Sequence, residues 1–215
     1  MKTLSKLLTF TVLVMTFSNA YAQKENSGYK NKYNVQRNEY DNISEESGKK
    51  NRQDIQENLD ADILYDMGKA FASFDEYEDA VECFRSSAEQ SNAKAQYELG
   101  VCYYEGNGVT QSYDEAAMWF TKSAEQGYSL GQYNLGTCYF YGNGVLQNYE
   151  EAVKWFRKSS EQDCEFGLYA LGMCYEYGFG VDVDLNKAVK YYNKAANLGS
   201  QEAVDALNAL DCYPA

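Results

Sequence analysis

The pair Leu-Gly stands at Leu99-Gly100, Leu135-Gly136 and Leu171-Gly172, 36 residues apart each time, and a weaker copy, Met67-Gly68, lies 32 residues before the first. Self-similarity at this spacing marks an array in which no repeat buries its own apolar face and each neighbour supplies the missing surface. The period restricts the chain to a stack of like units before any single residue is read.

Repeats run from about Ala61 to Asp211. In the copy that begins at Ala93, residues Ala95, Leu99, Cys102 and Tyr103 fall at i, i+4, i+7 and i+8 and form one helical stripe, with Tyr97, Val101 and Tyr104 on a second. Glu105-Gly106-Asn107-Gly108-Val109 ends this helix, as do Tyr141-Gly142-Asn143-Gly144-Val145 and Tyr177-Gly178-Phe179-Gly180-Val181 in the next copies. A second helix is predicted three residues after each Val, at Ser112, Asn148 and Asp184, three different members of the preferred N-cap set at one repeat position. Ser112 with Glu115 reads as a capping box, and Glu151 holds the same place one copy later. The second helix is predicted to bury Ala116, Trp119, Phe120, Ser123 and Ala124, then Ala152, Trp155, Phe156 and Ser159, then Ala188, Tyr191, Tyr192 and Ala195. Lys122, Lys158 and Lys194 point outward, and Gly127, Asp163 and Gly199 take the left-handed C-cap position.

The pattern A-x-x-x-L-G-x-x-Y-x-x-G-x-G-V, followed by A-x-x-W-F-x-K-S-A-x-x-G, closely resembles the Sel-one-like repeat family, a branch of the tetratricopeptide superfamily. Full copies cover 93–128, 129–164 and 165–200. Residues 60–92 lack the Gly-x-Gly loop and read like an ordinary tetratricopeptide, with Met67-Gly68, Phe71, Tyr77, Ala80 and Phe84 in register; residues 201–215 read as a C-terminal cap, with Leu207 in the Leu place and Asn208 in that of Gly. The resemblance implies an all-α, right-handed α-solenoid of antiparallel helix pairs with a C-terminal capping helix. It also implies an adaptor or scaffold role and a concave groove lined by the first helices.

The N-terminus follows other rules. Lys2 and Lys6 precede an apolar run from Leu7 to Phe17 and then Ala20-Tyr21-Ala22, which reads as a cleaved export signal over 1–22. The run is shorter than the roughly 20 residues of a membrane-spanning helix, and no Cys follows the cleavage site to carry a lipid anchor. Residues 23–59 are polar and without sustained period, the composition of a disordered tether, with helix expected to begin near Asp54 to Asn58. Loss of Lys2 and Lys6 takes the net charge from −13 to −15, which disfavours nucleic acid and favours a cationic or neutral protein or peptide. The chain has no His, which removes Ser-His-Asp and Cys-His catalysis and His-ligated zinc. No cofactor or metal is expected.

Tyrosine is the outlier of the composition, 21 residues in 215. Tyr65, Tyr97, Tyr133 and Tyr169 share one repeat position; with Tyr104, Phe140, Tyr141 and Tyr177 they are candidates for the floor of the groove implied by the resemblance. The alternative is packing between adjacent first helices. Glu98, Glu105 and Glu176 at the edge would favour a cationic ligand.

The six cysteines admit disulfides in an exported chain. Cys102, Cys138 and Cys174 share a repeat position on helices roughly 8–10 Å apart, too far to bridge one another, and read as small buried residues. Cys83 and Cys102 flank the turn near Ser91 and form the best candidate pair. Some exported relatives staple each hairpin with a cysteine pair, a pattern not repeated here.

Three further motifs are weak. Asp182-Val183-Asp184-Leu185-Asn186 starts like a calcium loop, but Lys187 and Asn193 stand where Gly and Glu are required. Ser47-Gly48-Lys49-Lys50 matches Ser-x-x-Lys without its companion motifs, and Asn42-Ile43-Ser44 is a glycosylation sequon. The reading favoured by the sequence is an exported, non-enzymatic module that binds a peptide or protein segment. The rivals are a carbohydrate- or cell-wall-binding protein and a cell-wall or β-lactam-related hydrolase.

Overall fold

The computed structural model of the chain describes residues 59–211. The export signal, the tether up to Asn58 with its expected helix start, the Ser47 motif, the Asn42 sequon and Cys212 lie outside the described residues.

The described residues form helices α1 (Ala61–Ser73), α2 (Tyr77–Glu89), α3 (Ala93–Glu105), α4 (Tyr113–Glu125), α5 (Ser129–Tyr141), α6 (Tyr149–Ser160), α7 (Glu165–Tyr177), α8 (Leu185–Asn197) and α9 (Gln201–Asp211), with no strand among them. Each helix packs on the next in the chain, which makes α1/α2, α3/α4, α5/α6 and α7/α8 four stacked hairpins, with α9 packed on α8. The all-α solenoid read from the sequence is the fold observed.

The Leu-Gly period has a steric cause. Leu99, Leu135 and Leu171 are at most 1% exposed and fill the space between hairpins. The glycine beside each lets an aromatic ring of the second helix lie directly on the first-helix backbone. A Cβ on Gly68, Gly100 or Gly136 would lie 2.5–2.6 Å from the ring of Phe84, Phe120 or Phe156, and one on Gly172 would run into Tyr192. Burial of each ring contributes about 2–3 kcal/mol, and the close approach is open only to glycine. Apolar clusters straddle the repeats: the first joins residues of α1, α2 and α3 to Trp119 of α4.

The same logic fixes the Gly-x-Gly loop. Gly106, Gly142 and Gly178 cap the first helices in the left-handed region, φ 77–80°. The second glycine is an inter-repeat contact: a Cβ on Gly108, Gly144 or Gly180 would collide with the backbone of Tyr77, Tyr113 or Tyr149, at the start of the previous hairpin's second helix. Ser112, Asn148 and Asp184 cap α4, α6 and α8 by accepting from the backbone N–H three residues on, at 3.0–3.3 Å. Their own N–H groups donate to the carbonyls of Tyr103, Tyr139 and Tyr175 at 2.8–2.9 Å. That bond takes the donor a reciprocal capping box would use, so the expected Ser112/Glu115 box is made on one side only. The left-handed C-cap residues Gly127, Asp163 and Gly199 are as expected, with φ 87°, 54° and 106°, and Ser91 fills the same place in the first hairpin with φ 66°.

Two polar ladders tie the stack. Ser87, Ser123 and Ser159 donate from Oγ to the first carbonyl of the paired helix, at Ala61, Ala93 and Ser129, over 2.5–2.8 Å. Gln96 and Gln132 are buried; each donates to a carbonyl of the preceding hairpin, Ala88 or Ala124, and accepts from Gln126 or Gln162 at 2.7–2.8 Å. Buried amides need such partners, and both ladders end where Leu168 and Ala195 replace Gln and Ser.

Candidate functional site

First helices α3, α5 and α7 touch one another across repeats more closely than the second helices do, which sets them on the inner side of the stack. The predicted tyrosine ladder lies on this side and is half-buried at each position. Tyr65, Tyr97, Tyr133 and Tyr169 pack on Phe84, Phe120, Phe156 and Tyr192 with ring centroids 6.3, 6.1, 5.9 and 5.6 Å apart. One part of each ring completes the core, which is the packing role weighed from the sequence, and the remainder meets solvent.

The other predicted residues fall into two groups. Tyr104 and Phe140, at one repeat position, sit in ring clusters under the Gly-x-Gly loops. Tyr104 packs on Tyr113 at 5.0 Å and its hydroxyl accepts from Asn143 Nδ2 at 3.0 Å. One repeat on, Phe140 has no hydroxyl, and Phe179 replaces the asparagine, meeting Phe140 edge-on at 5.1 Å. The chain thus exchanges a polar inter-repeat pair for an aromatic one at matched positions. Tyr141 and Tyr177 are 62% and 61% exposed and carry the open aromatic surface at the same ends of α5 and α7.

Tyr128 and Phe166 extend the ladder and were not predicted. Tyr128 meets Tyr97 edge-on at 5.5 Å, and Phe166, 45% exposed, lies 5.5 Å from Tyr133. A signal existed for Tyr128. It occupies the N-cap place where Asn92 and Ser200 bond the helix start, and it makes no capping bond; an aromatic at a cap position gives up that bond for a ring contact.

Carboxylates act on the ladder at Tyr65, Tyr97 and Tyr169 and not at Tyr133. Burial raises the pKa of Tyr65 with help from Glu98 and Asp66, and burial with Glu98 pushes Tyr97 up to about 12. Tyr169 is raised by burial and then by Glu202 and Glu176, whereas at Tyr133 the hydrogen bond with Thr137 opposes the effect of burial. Lys69 is engaged with Glu98 at 2.7 Å, and Lys94 lies over the Tyr65 ring at 5.9 Å. Glu176 accepts from the Tyr192 hydroxyl at 2.6 Å.

The described cysteines are core residues. Cys102, Cys138, Cys164 and Cys174 are unbridged and buried, so the candidate Cys83–Cys102 disulfide is not formed. Both members of that pair fill the first apolar cluster, 1% and 5% exposed, as small side chains. Burial pushes Cys102, Cys138 and Cys174 up to about 12, which keeps them as neutral thiols at ordinary pH. Among the described residues no cluster of Cys, Asp and Glu is arranged to hold a metal ion. Asp184 acts as a helix cap, as the failed calcium pattern anticipated. No described helix is long and apolar enough to cross a membrane.

On the opposite, second-helix face, Lys122 and Lys158 lie 3.9 and 3.8 Å from the centroids of the Trp119 and Trp155 rings. These lysines are exposed, as predicted, but their ammonium groups lie over the indole rings.

No curated protein matches the chain. Among solved structures it is similar to a protective antigen of uropathogenic Escherichia coli displaying an SLR fold, at 35% identity and a TM-score of 0.67 over 70% of this chain and 33% of that one. It is also similar to a Sel1 repeat protein from Oxalobacter formigenes, at 32% identity and a TM-score of 0.63 over 70% and 61%. The chain thus spans between a third and three-fifths of the length of these two relatives. The profile of the Sel1 repeat matches residues 63–92, 93–128, 129–164 and 166–200, taking in the first hairpin, whose difference lies in its shorter loop while the Gly68–Phe84 approach is kept. With the glycine, ring and loop geometry shared by these four matched segments, the chain belongs to the Sel1 repeat family.

Proposed function

We propose that this chain is an exported, non-enzymatic adaptor that holds a peptide or protein segment on its first-helix face. Sel1 repeat proteins are typically protein-interaction modules and generally non-catalytic, which supports this class. The observation that carries the choice of face is the half-exposed tyrosine ladder, continued by Tyr128, Phe166, Tyr141 and Tyr177. Aromatic side chains already fixed by packing lose little entropy on binding and are enriched at binding hot spots. The surrounding carboxylates favour a cationic or neutral partner over nucleic acid. Export rests on the N-terminal signal pattern.

Affinity capture from envelope and exported fractions tests this reading, with wild type beside a Tyr97→Ala/Tyr133→Ala/Tyr169→Ala variant of unchanged helicity. Loss of a captured protein in the variant is the expected result. Equal capture by both would remove the ladder from the binding surface.

A further inference from the structure

The inner face is acidic and aromatic, and its two lysines are already engaged, Lys69 with Glu98 and Lys94 over Tyr65. Glu98 and Glu105, on α3 with Tyr97, raise its pKa by their charge, as Glu202 and Glu176 raise that of Tyr169. The same chain carries a stretch of opposite character. From Asn26 to Asn38 it contains Lys30, Lys32 and Arg37 with Tyr29 and Tyr33, and no carboxylate, within a protein of net charge −13. Resting on the reading of the first-helix face as a binding surface, we propose that Gly28–Arg37 occupies this face in cis, as a resident ligand that an outside partner must displace.

Reach and entry point both allow it. About 20 residues separate Arg37 from Leu59 and span up to roughly 70 Å when extended. Neighbouring first helices lie about 10 Å apart, so the face from α1 to α7 is about 30 Å long. The chain enters the array through Asp60, which caps α1 from the repeat position that Tyr128 and Cys164 hold at α5 and α7. It therefore arrives at the edge of the face where Tyr128 meets Tyr97. Tyr29 and Tyr33 match the rings of the face in chemistry, and Lys30, Lys32 and Arg37 match its carboxylates. Regulation follows from the arrangement: a weak partner is excluded, and one that matches the face in both aromatic and basic groups displaces the segment.

The test uses the full chain and a labelled synthetic peptide of residues 28–37, followed by fluorescence anisotropy. A Tyr29→Ala/Lys30→Glu/Lys32→Glu/Tyr33→Ala/Arg37→Glu chain, stripped of its competing segment, is expected to bind the peptide at least about ten-fold more tightly than wild type, because a short tether holds its ligand at about millimolar effective concentration. Adding Tyr133→Ala, or the more exposed Phe166→Ala should the first variant fail to fold, is expected to weaken that binding five-fold or more. Equal affinity in the two chains, or no binding by either, overturns self-occupancy while leaving the capture of outside proteins to judge the face itself. Binding that survives both face substitutions overturns the location. Sedimentation is expected to show a monomer, and a wild-type dimer that vanishes with the five substitutions would place the segment in trans and overturn the cis arrangement.

Discussion

At the scale of single residues, glycines and buried acidic protons set the fold's tolerances. Gly136 faces the Phe156 ring at 2.6 Å, so Gly136→Ala forces the ring off its seat, whereas a Cβ at Gly127 meets nothing within 4 Å. Overpacking of this kind costs about 1–3 kcal/mol; Gly136→Ala is expected to shift the urea midpoint accordingly, and Gly127→Ala, which bears only the cost of its left-handed backbone, to shift it by about half as much or less. Titration gives a second test. Cys102, Cys138 and Cys174 rise from an ordinary 9.0 to about 12, and Tyr97 from 10.0 to about 12, each chiefly through burial. These groups hold their protons more tightly folded than unfolded, so their contribution is complete below the unfolded values and is lost as pH rises through the folded ones. The thermal midpoint is therefore expected to fall steadily from pH 9 toward pH 12, and a profile flat across that window would remove these groups from the account. The sequence showed that these cysteines were small core residues; the unformed Cys83–Cys102 bridge was not legible, because proximity across a turn does not fix the direction of two Cβ vectors.

At the scale of helices and loops, the second-helix N-caps, the C-caps and most of the buried stripes were readable, since each depends on residues within one turn of one another, while Trp155 and Tyr191, predicted buried, are half-buried. Ser112, Asn148 and Asp184 declare their helices unaided. Contacts between repeats were not readable in the same way. The Gln96–Gln126 and Gln132–Gln162 bonds join residues 30 apart, and no local pattern marks an amide as buried. The exchange of Tyr104 and Asn143 for Phe140 and Phe179 belongs to this class and can be tested as a pair. Phe179→Asn leaves an amide against Phe140, which cannot accept its hydrogen, and is expected to cost about 1–3 kcal/mol through lost ring contact and an unpaired donor. Adding Phe140→Tyr rebuilds the pair seen one repeat earlier and is expected to recover at least half of the loss in a urea double-mutant cycle. Additive costs would show that the two positions are not coupled.

At the scale of the molecule, the 36-residue period makes the stack legible and at the same time hides function, because a ring such as Tyr97 is required by the core beneath it whatever lies above it. Stability of such arrays is the sum of hairpins and the interfaces between them, and terminal units act as covers. Helix α9 shields the last hairpin: Ala203 is fully buried, and Leu207 and Leu210 pack on the cluster of Leu168, Tyr175 and Tyr192. A chain ending at Ser200 is expected to lose thermal stability and to self-associate by light scattering, as the apolar end of α7 and α8 meets water. The acidic charge and the aromatic inner face give the molecule a side, and that assignment is the centre of the account. Hydrogen–deuterium exchange on the full chain, with and without a protein captured from the envelope fraction, tests it most directly. Added protection on α3, α5 and α7 and at Tyr128 is the predicted result, and protection confined to α4, α6 and α8, around Trp119 and Trp155, would contradict it.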